Sequence, residues 1–234
     1  MMKEILRAGL EEWQLNAPET CFAQLEDFSE RMVETNKVMN LTGITEPDEI
    51  AKKHFLDCIA LLTAENLSGK RVIDVGCGAG FPGMPLKLTC PDCDITLLDS
   101  LGKRIKFLQS CIDGMGLTGV EAVHARAEEY ARSHREQYDA AVSRAVAQLN
   151  VLTELSLPFV KVGGVFIAMK SRDTDEEIDR AKRAVALLGG SIERVLDYTI
   201  PLTDITHRMV VIRKVKPTPA KYPRPFRKIS AAPL

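Results

Sequence analysis

The sequence contains no apolar run that approaches the roughly 18 consecutive residues that a membrane-spanning helix needs. Its first residues, Met1 to Glu4, also lack the charged and apolar segments of a signal peptide. Both absences argue against export or insertion into a membrane. We therefore expect a cytosolic protein that has no membrane contact.

A disulfide framework and a zinc site are also missing from the pattern of cysteines. The six cysteines are scattered along the chain, and only Cys90 and Cys93 form a CxxC pair. Zinc needs four ligands, and the nearest histidine in sequence, His124, stands alone. We predict no metal and favour a helix-to-strand turn with two incidental thiols. Metal or redox use of the pair is the alternative.

Acidic residues are absent from the last part of the chain. Residues 205–234 contain eight of the 31 Lys and Arg and no Asp or Glu. Residues 1–204 are left with 23 basic and 32 acidic side chains, a net charge of −9. A basic segment on an acidic body predicts a polyanion contact at one edge of the molecule. A solvated, disordered tail is the alternative.

The chain of 234 residues is long enough for one sizeable domain with an extension. Helical spacing over residues 1–16, 18–39 and 47–64 predicts an N-terminal helical cap, which we assign to residues 1–65. Strand patterns follow at 71–75, 94–98, 119–123, 138–142, 164–169, 191–200 and 208–214. Helical segments separate the first five, so we predict an α/β fold with a doubly wound, mostly parallel, seven-stranded Rossmann-like sheet. This domain spans 66–215, a basic tail spans 216–234, and we expect a monomer.

A glycine-rich turn follows the first predicted strand. Gly76, Gly78 and Gly80 allow the backbone to approach a ligand closely, as in a dinucleotide-binding GxGxxG turn. Asp74, two residues before the first glycine, favours a cationic nucleoside that has no pyrophosphate. No Tyr-x-x-x-Lys pair for hydride chemistry is present. The turn therefore predicts a site for S-adenosylmethionine (SAM) rather than for a nicotinamide.

The next two strand ends are suited to the same ligand, because ligands of such sheets bind beyond the carboxyl ends of the strands. Asp99 can accept hydrogen bonds from both ribose hydroxyls, and Ala127 and Glu128 can meet the adenine edge. A helix cap at Asp99 and a solvated Glu128 are the structural alternatives. The placement of Asp99, Ala127 and Glu128 at successive strand ends favours the SAM site over these alternatives.

The motifs resemble those of the small-subunit ribosomal RNA methyltransferase G family, also called glucose-inhibited division protein B. The matching segments are residues 36–42, 53–57, 72–83, 97–104, 126–129, 143–145 and 221–224. The resemblance implies SAM-dependent methylation of ring nitrogen 7 of one guanine near the decoding site of 16S rRNA. The substrate is then 16S rRNA or a small-subunit precursor. The SAM contacts that it implies are Gly76, Phe81, Asp99, Ser100, Leu101, Ala127, Glu128 and Arg144.

The implied reaction needs no general base, because nitrogen 7 of guanine already carries a free lone pair. We expect orientation to supply most of the rate, with Arg144 and Asn40 as positioning residues. An arginine that bound oxygen 6 and nitrogen 7 together would block the attacking atom. Arg144 is therefore expected to bind the methionine carboxylate, a phosphate or oxygen 6 alone, and a structural ion pair is the alternative. His54 and Asp57 can brace the cap over the pocket or form a buried pair.

Basic and aromatic residues that suit RNA occur in the tail and beside the predicted pocket. The residues predicted to contact RNA are Lys53, Lys103, Arg104, Lys221, Tyr222, Arg224, Arg227 and Lys228. Truncation after Lys214 is expected to weaken RNA binding and leave SAM affinity almost unchanged. His207 and Phe226 depart from the family pattern. A nicotinamide oxidoreductase and a non-catalytic RNA-binding module are the competing functions.

Overall fold

The computed structural model describes residues 1–144 and 147–234, so Ala145 of the Ser143-Arg144-Ala145 motif lies outside the described residues. The N-terminal part is helical, as predicted. Its elements are α1 (Met2–Glu12), α2 (Thr20–Met39), α3 (Pro47–Ile50), a π-helical turn (Ala51–Leu56), α4 (Asp57–Ile59) and α5 (Leu61–Ala64). The third predicted helix is thus a chain of short segments around a π-helical turn, which widens the helix at His54.

All seven predicted strands are present in one sheet. They are β1 (Arg71–Val75), β2 (Asp94–Asp99), β3 (Val120–His124), β4 (Tyr138–Arg144), β5 (Val160–Ser171), β6 (Gly190–Thr199) and β7 (Thr206–Lys214). The strand order is β3-β2-β1-β4-β5-β7-β6. Strands β1 to β5 pair in parallel, and β7 pairs antiparallel with both β5 and β6. The mostly parallel, Rossmann-like sheet is therefore confirmed.

Helices cover both faces of this sheet. They are α6 (Gly83–Thr89), α7 (Gly102–Gly114), α8 (Ala127–Tyr130), α9 (Leu149–Ser156), α10 (Asp175–Leu187) and α11 (Phe226–Ala231). One face is covered by α6, α7 and the cap helices, and the other by α9, α10 and α11. Strands β1 and β4 are neighbours in the sheet. From β1 the chain continues to β2 and β3 on one side, and from β4 it continues to β5 on the other, so the strand order reverses between β1 and β4. Ligands bind at this position in such sheets.

Four phenylalanines connect the cap to the glycine-rich turn. The ring of Phe28 lies 6.0–6.2 Å from the rings of Phe55, Phe81 and Phe107, measured between centroids. Phe81 belongs to the turn after β1, whereas Phe28 and Phe55 belong to the cap. Contacts of this kind add about 0.5–1.5 kcal/mol each beyond the area they bury. These aromatic contacts therefore hold the glycine-rich turn against the cap.

The C-terminal residues pack against the domain, so the alternative of a disordered tail is wrong. Tyr222 is 6% exposed and Ile229 is fully buried, both in the apolar core with α9 and α10. The guanidinium of Arg135 donates hydrogen bonds to the carbonyls of Thr218, Pro219 and Tyr222. Within the described ranges, no helix is both long and apolar enough to cross a membrane.

Candidate functional site

Two adjoining cavities open at the carboxyl ends of β1 to β4. The first has a volume of about 400 Å³ and the second of about 180 Å³, and both are lined by Gly76, Asp99 and Ser100. The other residues of the first are Leu41, Thr42, His54, Cys77, Gly78, Ala79, Phe81, Leu101, Arg104 and Arg144. The other residues of the second are Val75, Leu98, Ala125, Arg126, Ala127, Glu128, Leu155 and Phe226. Nine of the eleven predicted cofactor residues therefore line the two cavities, which share three residues.

The glycine-rich turn lies along the floor of the first cavity. Gly76 and Gly78 have φ angles of 76° and 58°, which an L side chain rarely adopts. The amides of Gly76 and Cys77 donate to the carbonyl of Leu98 at 2.8 and 3.1 Å. Because these bonds join the ends of β1 and β2, the turn presents bare backbone at a fixed distance from Asp99.

Asp99 is held rigidly between the two cavities. One carboxylate oxygen accepts from the amide of Gly78 at 2.9 Å and the other from the amide of Leu101 at 2.8 Å. Arg104 lies 3.6 Å from the same carboxylate, which is only 6% exposed. A carboxylate has about four acceptor positions, so two stay open for a ligand that carries paired hydroxyl groups.

The second cavity is mostly apolar. It is lined by Ala127 and Glu128 at the start of α8, by Leu155 of α9 and by Phe226 of α11. Glu128 is 7% exposed, so the alternative of a solvated side chain is wrong. An apolar slot with an acceptor and backbone groups at its edge suits an aromatic nucleobase. The tail thus contributes a wall of the site, which was not predicted.

Asp74 lies beneath the turn and not in either cavity, which corrects the prediction that it faces the cofactor. Its side chain is fully buried, and one carboxylate oxygen accepts from the amide of Gly83 at 2.7 Å at the start of α6. Gly80 also lies outside both cavities. Its φ of 100° and the side chains of Met84 and Leu108 leave no room for a Cβ. Asp74 and Gly80 therefore fix the conformation of the glycine-rich turn on its buried side.

Burial raises the pKa of Asp74 to about 7, against the hydrogen bond from Gly83 and the charge of Arg144, which lower it. Because this pKa exceeds that of the unfolded chain, Asp74 supports folding below pH 4 and loses that contribution as pH rises through 7. Asp74→Asn keeps the acceptor for Gly83 but does not titrate. We expect the stability of the variant relative to wild type to increase by about 2–4 kcal/mol between pH 4 and pH 7.5.

Urea unfolding over this pH range, without added cofactor, measures the difference. Asp139→Asn is a suitable control, because the pKa of Asp139 is lowered by the amide of Arg71 and by Lys161 despite partial burial. The difference between Asp139→Asn and wild type should stay almost constant between pH 4 and pH 7.5, because a carboxyl whose pKa is lowered in the folded state changes its contribution to stability below that range. A constant difference between Asp74→Asn and wild type across the range would contradict the raised pKa of Asp74.

Asp57 is the centre of a polar network above the first cavity. One of its oxygens accepts from Arg144 at 2.9 Å, and the other accepts from the hydroxyl of Tyr198 at 2.7 Å and contacts Nδ1 of His207 at 2.8 Å. Burial raises the pKa of Asp57, but the bond to His207 and the charge of Arg144 outweigh it and hold this pKa below its usual range. A buried carboxylate thus joins the cap to β4, β6 and β7.

His54 is neutral in this network. Burial and the nearby charge of Arg144 lower its pKa to about 4. Nδ1 of His54 lies 3.3 Å from a guanidinium nitrogen of Arg144, which can only donate. We therefore assign the proton to Nε2, which donates to the hydroxyl of Thr42 at 2.8 Å. The imidazole also stacks on Phe81, with 4.6 Å between centroids.

Arg144 lines the first cavity, as predicted, and it is also ion-paired with Asp57, so the structural ion pair that was the alternative is present as well. Its guanidinium lies 4.7 Å from the centroid of Phe81 and also contacts the carbonyl of Lys53 at 3.4 Å. His54 and Asp57 share one helix face, as predicted, but they meet through Arg144. The network therefore sets the direction in which Arg144 points.

Asn40 does not line either cavity, contrary to its predicted positioning role. It ends α2 with a left-handed φ of 49°, a conformation that asparagine tolerates. Asn36 shapes the loop that follows. Its side-chain oxygen accepts from the amides of Leu41 and Thr42 at 2.6 and 2.9 Å, and its nitrogen donates to the carbonyl of Thr42. This loop carries Leu41 and Thr42 to the cavity.

The residues predicted to contact RNA differ in whether their side chains are exposed. Tyr222 is buried, and the guanidinium of Arg224 is bound to the buried carboxylate of Glu154, so neither is placed to bind RNA. Lys53 pairs with Glu49, and Arg104 lines the first cavity. The exposed members are Lys103, Lys221, Arg227 and Lys228. Three of the RNA contacts predicted in the tail, Lys221, Arg227 and Lys228, are therefore exposed, and the ring of Tyr222 is buried in the core.

Several residues of the site were not predicted. Tyr198 and His207 lie on the antiparallel strands β6 and β7, and Phe226 lies in the tail. Thr42 was quoted in a motif but had no assigned role. His207 and Phe226 both occur where the sequence departs from the family pattern. This departure was the one feature of the sequence that could have drawn attention to them. The register of β6 against β7, which sets Tyr198 opposite His207, is a tertiary feature.

Comparison with known proteins agrees with this geometry. The family described as rRNA small subunit methyltransferase G matches residues 22–205. A protein of Alkaliphilus metalliredigens named ribosomal RNA small subunit methyltransferase G is 48% identical over 225 residues, which cover 95% of this chain and 94% of that protein. A protein of the same name from Clostridium botulinum (strain ATCC 19397 / Type A) is 46% identical over 223 residues, 94% of this chain and 93% of that one.

Solved structures share the fold at low sequence identity. The crystal structure of M. jannaschii TYW2 in complex with AdoMet superposes with a TM-score of 0.52 at 16% identity. The match covers 67% of this chain and 70% of that one. This likeness supports the Rossmann-like fold of the sheet and its flanking helices.

Proposed function

Because the chain belongs to the rRNA small subunit methyltransferase G family, we propose that it methylates ring nitrogen 7 of one guanine in 16S rRNA, with SAM as methyl donor. The observation that carries this proposal is the position of Asp99, a rigid carboxylate shared by two cavities beside a glycine-rich turn. The cytosolic location and the monomeric state remain predictions.

The residues present fit SAM. The apolar slot between Ala127 and Phe226 suits the adenine, and the open acceptor positions of Asp99 suit the two ribose hydroxyls. The first cavity is large enough for the methionine portion and one side of an acceptor base. Bound SAM supplies an electrophilic methyl group on a sulfonium centre. The task of the chain is to hold this group in line with an incoming guanine.

Arg144 has N–H donors that are free to bind the guanine that accepts the methyl group. A guanidinium carries five N–H donors, and contacts with Asp57, the Lys53 carbonyl and His54 occupy three of them. The remaining two can reach oxygen 6 of guanine while nitrogen 7 stays free to attack. Asp57 and His54 thus select the direction of Arg144, and positioning of this kind can account for most of the catalysis.

Neither His54 nor Cys77 of the first cavity is suited to act as a base or nucleophile, in agreement with a reaction that needs neither. His54 is neutral, but its Nδ1 already accepts from Arg144. Cys77 is 1% exposed, and burial raises the pKa of its thiol well above the usual value. Nitrogen 7 of guanine loses no proton during methylation, so the chain needs only to orient the two reactants.

The cofactor is tested by calorimetry with SAM, its demethylated product and NAD. We expect wild type to bind SAM and the product but not the dinucleotide. Asp99→Asn should weaken SAM binding about 10–100-fold, because a charged acceptor is replaced by an amide whose NH₂ faces the amides of Gly78 or Leu101. Asp113→Asn, on the exposed side of α7, is a matched control. Binding of only the dinucleotide would support an oxidoreductase and reject the SAM site.

The exposed cations of the tail are the proposed RNA contacts, and charge substitution tests them without removing the tail. The triple change of Lys221, Arg227 and Lys228 to Gln should weaken rRNA binding and reduce the magnitude of its log–log salt slope by about 2. SAM affinity should be unchanged. The control replaces three exposed cations of α10, Arg180, Lys182 and Arg183, with Gln. Equal effects of both triples would show that only net charge matters.

A further inference from the structure

The Cys90-Pro91-Asp92-Cys93 segment forms a tight turn between α6 and β2, and none of its residues lines either of the two cofactor cavities. The amide of Cys93 donates to the carbonyl of Cys90 at 3.2 Å, and the Cys93 thiol contacts the same carbonyl at 2.8 Å. The first and fourth Cα atoms of such a turn lie within about 7 Å of each other. A disulfide needs a Cα separation of about 4.4–6.8 Å, so the turn can be bridged with little movement of the backbone.

Cys90 is the accessible member of the pair. All six cysteines lie in the described residues and are free, and Cys90 is the one that is not buried. It lines a third cavity of about 540 Å³ between the α1–α2 loop and the turn, which shares no residue with the two cofactor cavities. Leu15 and Leu62 give this cavity an apolar wall, and Asn16, Asn66 and Ser68 provide hydrogen-bonding groups. Such a lining suits a small peptide-like molecule.

The two thiols differ in their surroundings and therefore in their roles. The ammonium of Lys87 is almost fully buried and donates to the carbonyls of Pro91 and Cys93 at 2.6 and 2.7 Å. The hydrogen bond that Cys93 can give to a Cys90 thiolate lowers the pKa of Cys90 to about 7, although burial opposes this. The same interaction and burial raise the pKa of Cys93. Cys90 is thus the attacking thiol and Cys93 the resolving one.

We propose that Cys90 and Cys93 form a redox site that exchanges with small peptide disulfides in the third cavity. The Cys90 thiolate attacks one sulfur of the disulfide, forms a mixed disulfide and releases the other half as a thiolate. The Cys93 thiol loses its proton, attacks the sulfur of Cys90 and releases the second half. The protein loses two electrons and two protons, and the small disulfide is reduced to two thiols.

Glutathione disulfide added to the reduced full-length protein tests this site. Intact-protein and peptide mass spectrometry should find the loss of two hydrogens, confined to the peptide that contains Cys90 and Cys93. Cys93→Ser should instead keep a stable glutathione adduct on Cys90. Cys90→Ser should slow reaction of the folded protein about tenfold or more, because the other thiols are buried.

Two results would overturn the proposal. One is the absence of an internal disulfide at any ratio of oxidised to reduced glutathione. The other is a Cys93→Ser protein whose adducts are spread over Cys21, Cys58, Cys77 and Cys111. Thermal melting of each variant confirms that it is folded, and Cys90→Ala gives a second test should Cys90→Ser unfold. The outcome does not depend on SAM binding, since the cavities share no residue.

Discussion

Replacing Arg224 with alanine is expected to lower the free energy of unfolding by about 3–5 kcal/mol. Glu154 is fully buried on α9, and its two oxygens accept from Nε and Nη2 of Arg224 at 2.8 and 2.6 Å. The alanine variant leaves this carboxylate with the backbone amide of residue 224, at 2.9 Å, as its remaining partner from the tail. An uncompensated buried charge is costly, so urea unfolding should show a large shift of the midpoint.

Two further variants separate the charge from the packing. Arg224→Lys keeps the charge but loses the paired donors, so we expect an intermediate loss. The double change Glu154→Leu with Arg224→Met replaces the pair with apolar side chains and should recover most of the stability. Unchanged unfolding of Arg224→Ala would contradict the docked tail. Equal losses in the single and double variants would show that the ion pair is not the cause.

The same contacts change how the tail must be tested. Truncation after Lys214 would remove the buried side chains of Tyr222 and Ile229, and also Phe226, which lines the second cavity. It would also remove Thr218, whose hydroxyl accepts from the buried ammonium of Lys214 at 2.7 Å. The tail is therefore needed for the SAM site, contrary to the expectation that truncation leaves SAM affinity almost unchanged. We now expect truncation to impair folding and SAM binding together.

Replacing Arg144 with alanine is expected to reduce methyl transfer by about 100-fold or more and to destabilise the protein by about 3–5 kcal/mol. The activity falls because the acceptor base loses the group that orients it. The stability falls because Asp57, which is 3% exposed, loses a charged partner. Tyr198 and His207 still bind Asp57, so the fold should survive at moderate temperature.

The measurement compares the rate of methyl transfer per folded molecule with SAM affinity and with the unfolding midpoint. Arg144→Lys retains a charge for Asp57 but not the planar set of donors, so it should recover stability more than activity. Tyr198→Phe removes one bond to Asp57 without touching the cavity and serves as the matched control. A normal rate in folded Arg144→Ala would remove Arg144 from the proposed mechanism.

Most of the fold could be predicted from sequence because apolar strand patterns alternate with helical segments along most of the domain. Strand β1 was placed at 71–75 and is found at Arg71–Val75. The irregular third helix could not be foreseen, because the π-helical turn at Ala51–Leu56 has the same apolar spacing as a regular helix over one turn. The strands β6 and β7 form a local hairpin, but the register of this hairpin, which shifts between Ile192 and Arg194, cannot be deduced from residue spacing.

The site was predicted where local sequence determines it. Asp99 ends β2, and Ala127 and Glu128 follow β3 after two intervening residues, so the strand ends alone place them in the cavities. Asp74 was misplaced because adjacent residues of a strand point to opposite faces, and the direction of its carboxylate depends on α6. The network around Asp57 joins residues up to 150 positions apart, and no local pattern reports it.

The most direct test incubates the purified protein with isotopically labelled SAM and small-subunit rRNA, as naked 16S rRNA and as 30S particles lacking the modification. Nucleoside mass spectrometry then identifies the labelled product. We predict label in 7-methylguanosine with at least one of these substrates, and its loss with Asp99→Asn and Arg144→Ala. Absence of labelled 7-methylguanosine with every form of the RNA, despite SAM binding by calorimetry, would contradict the proposed reaction.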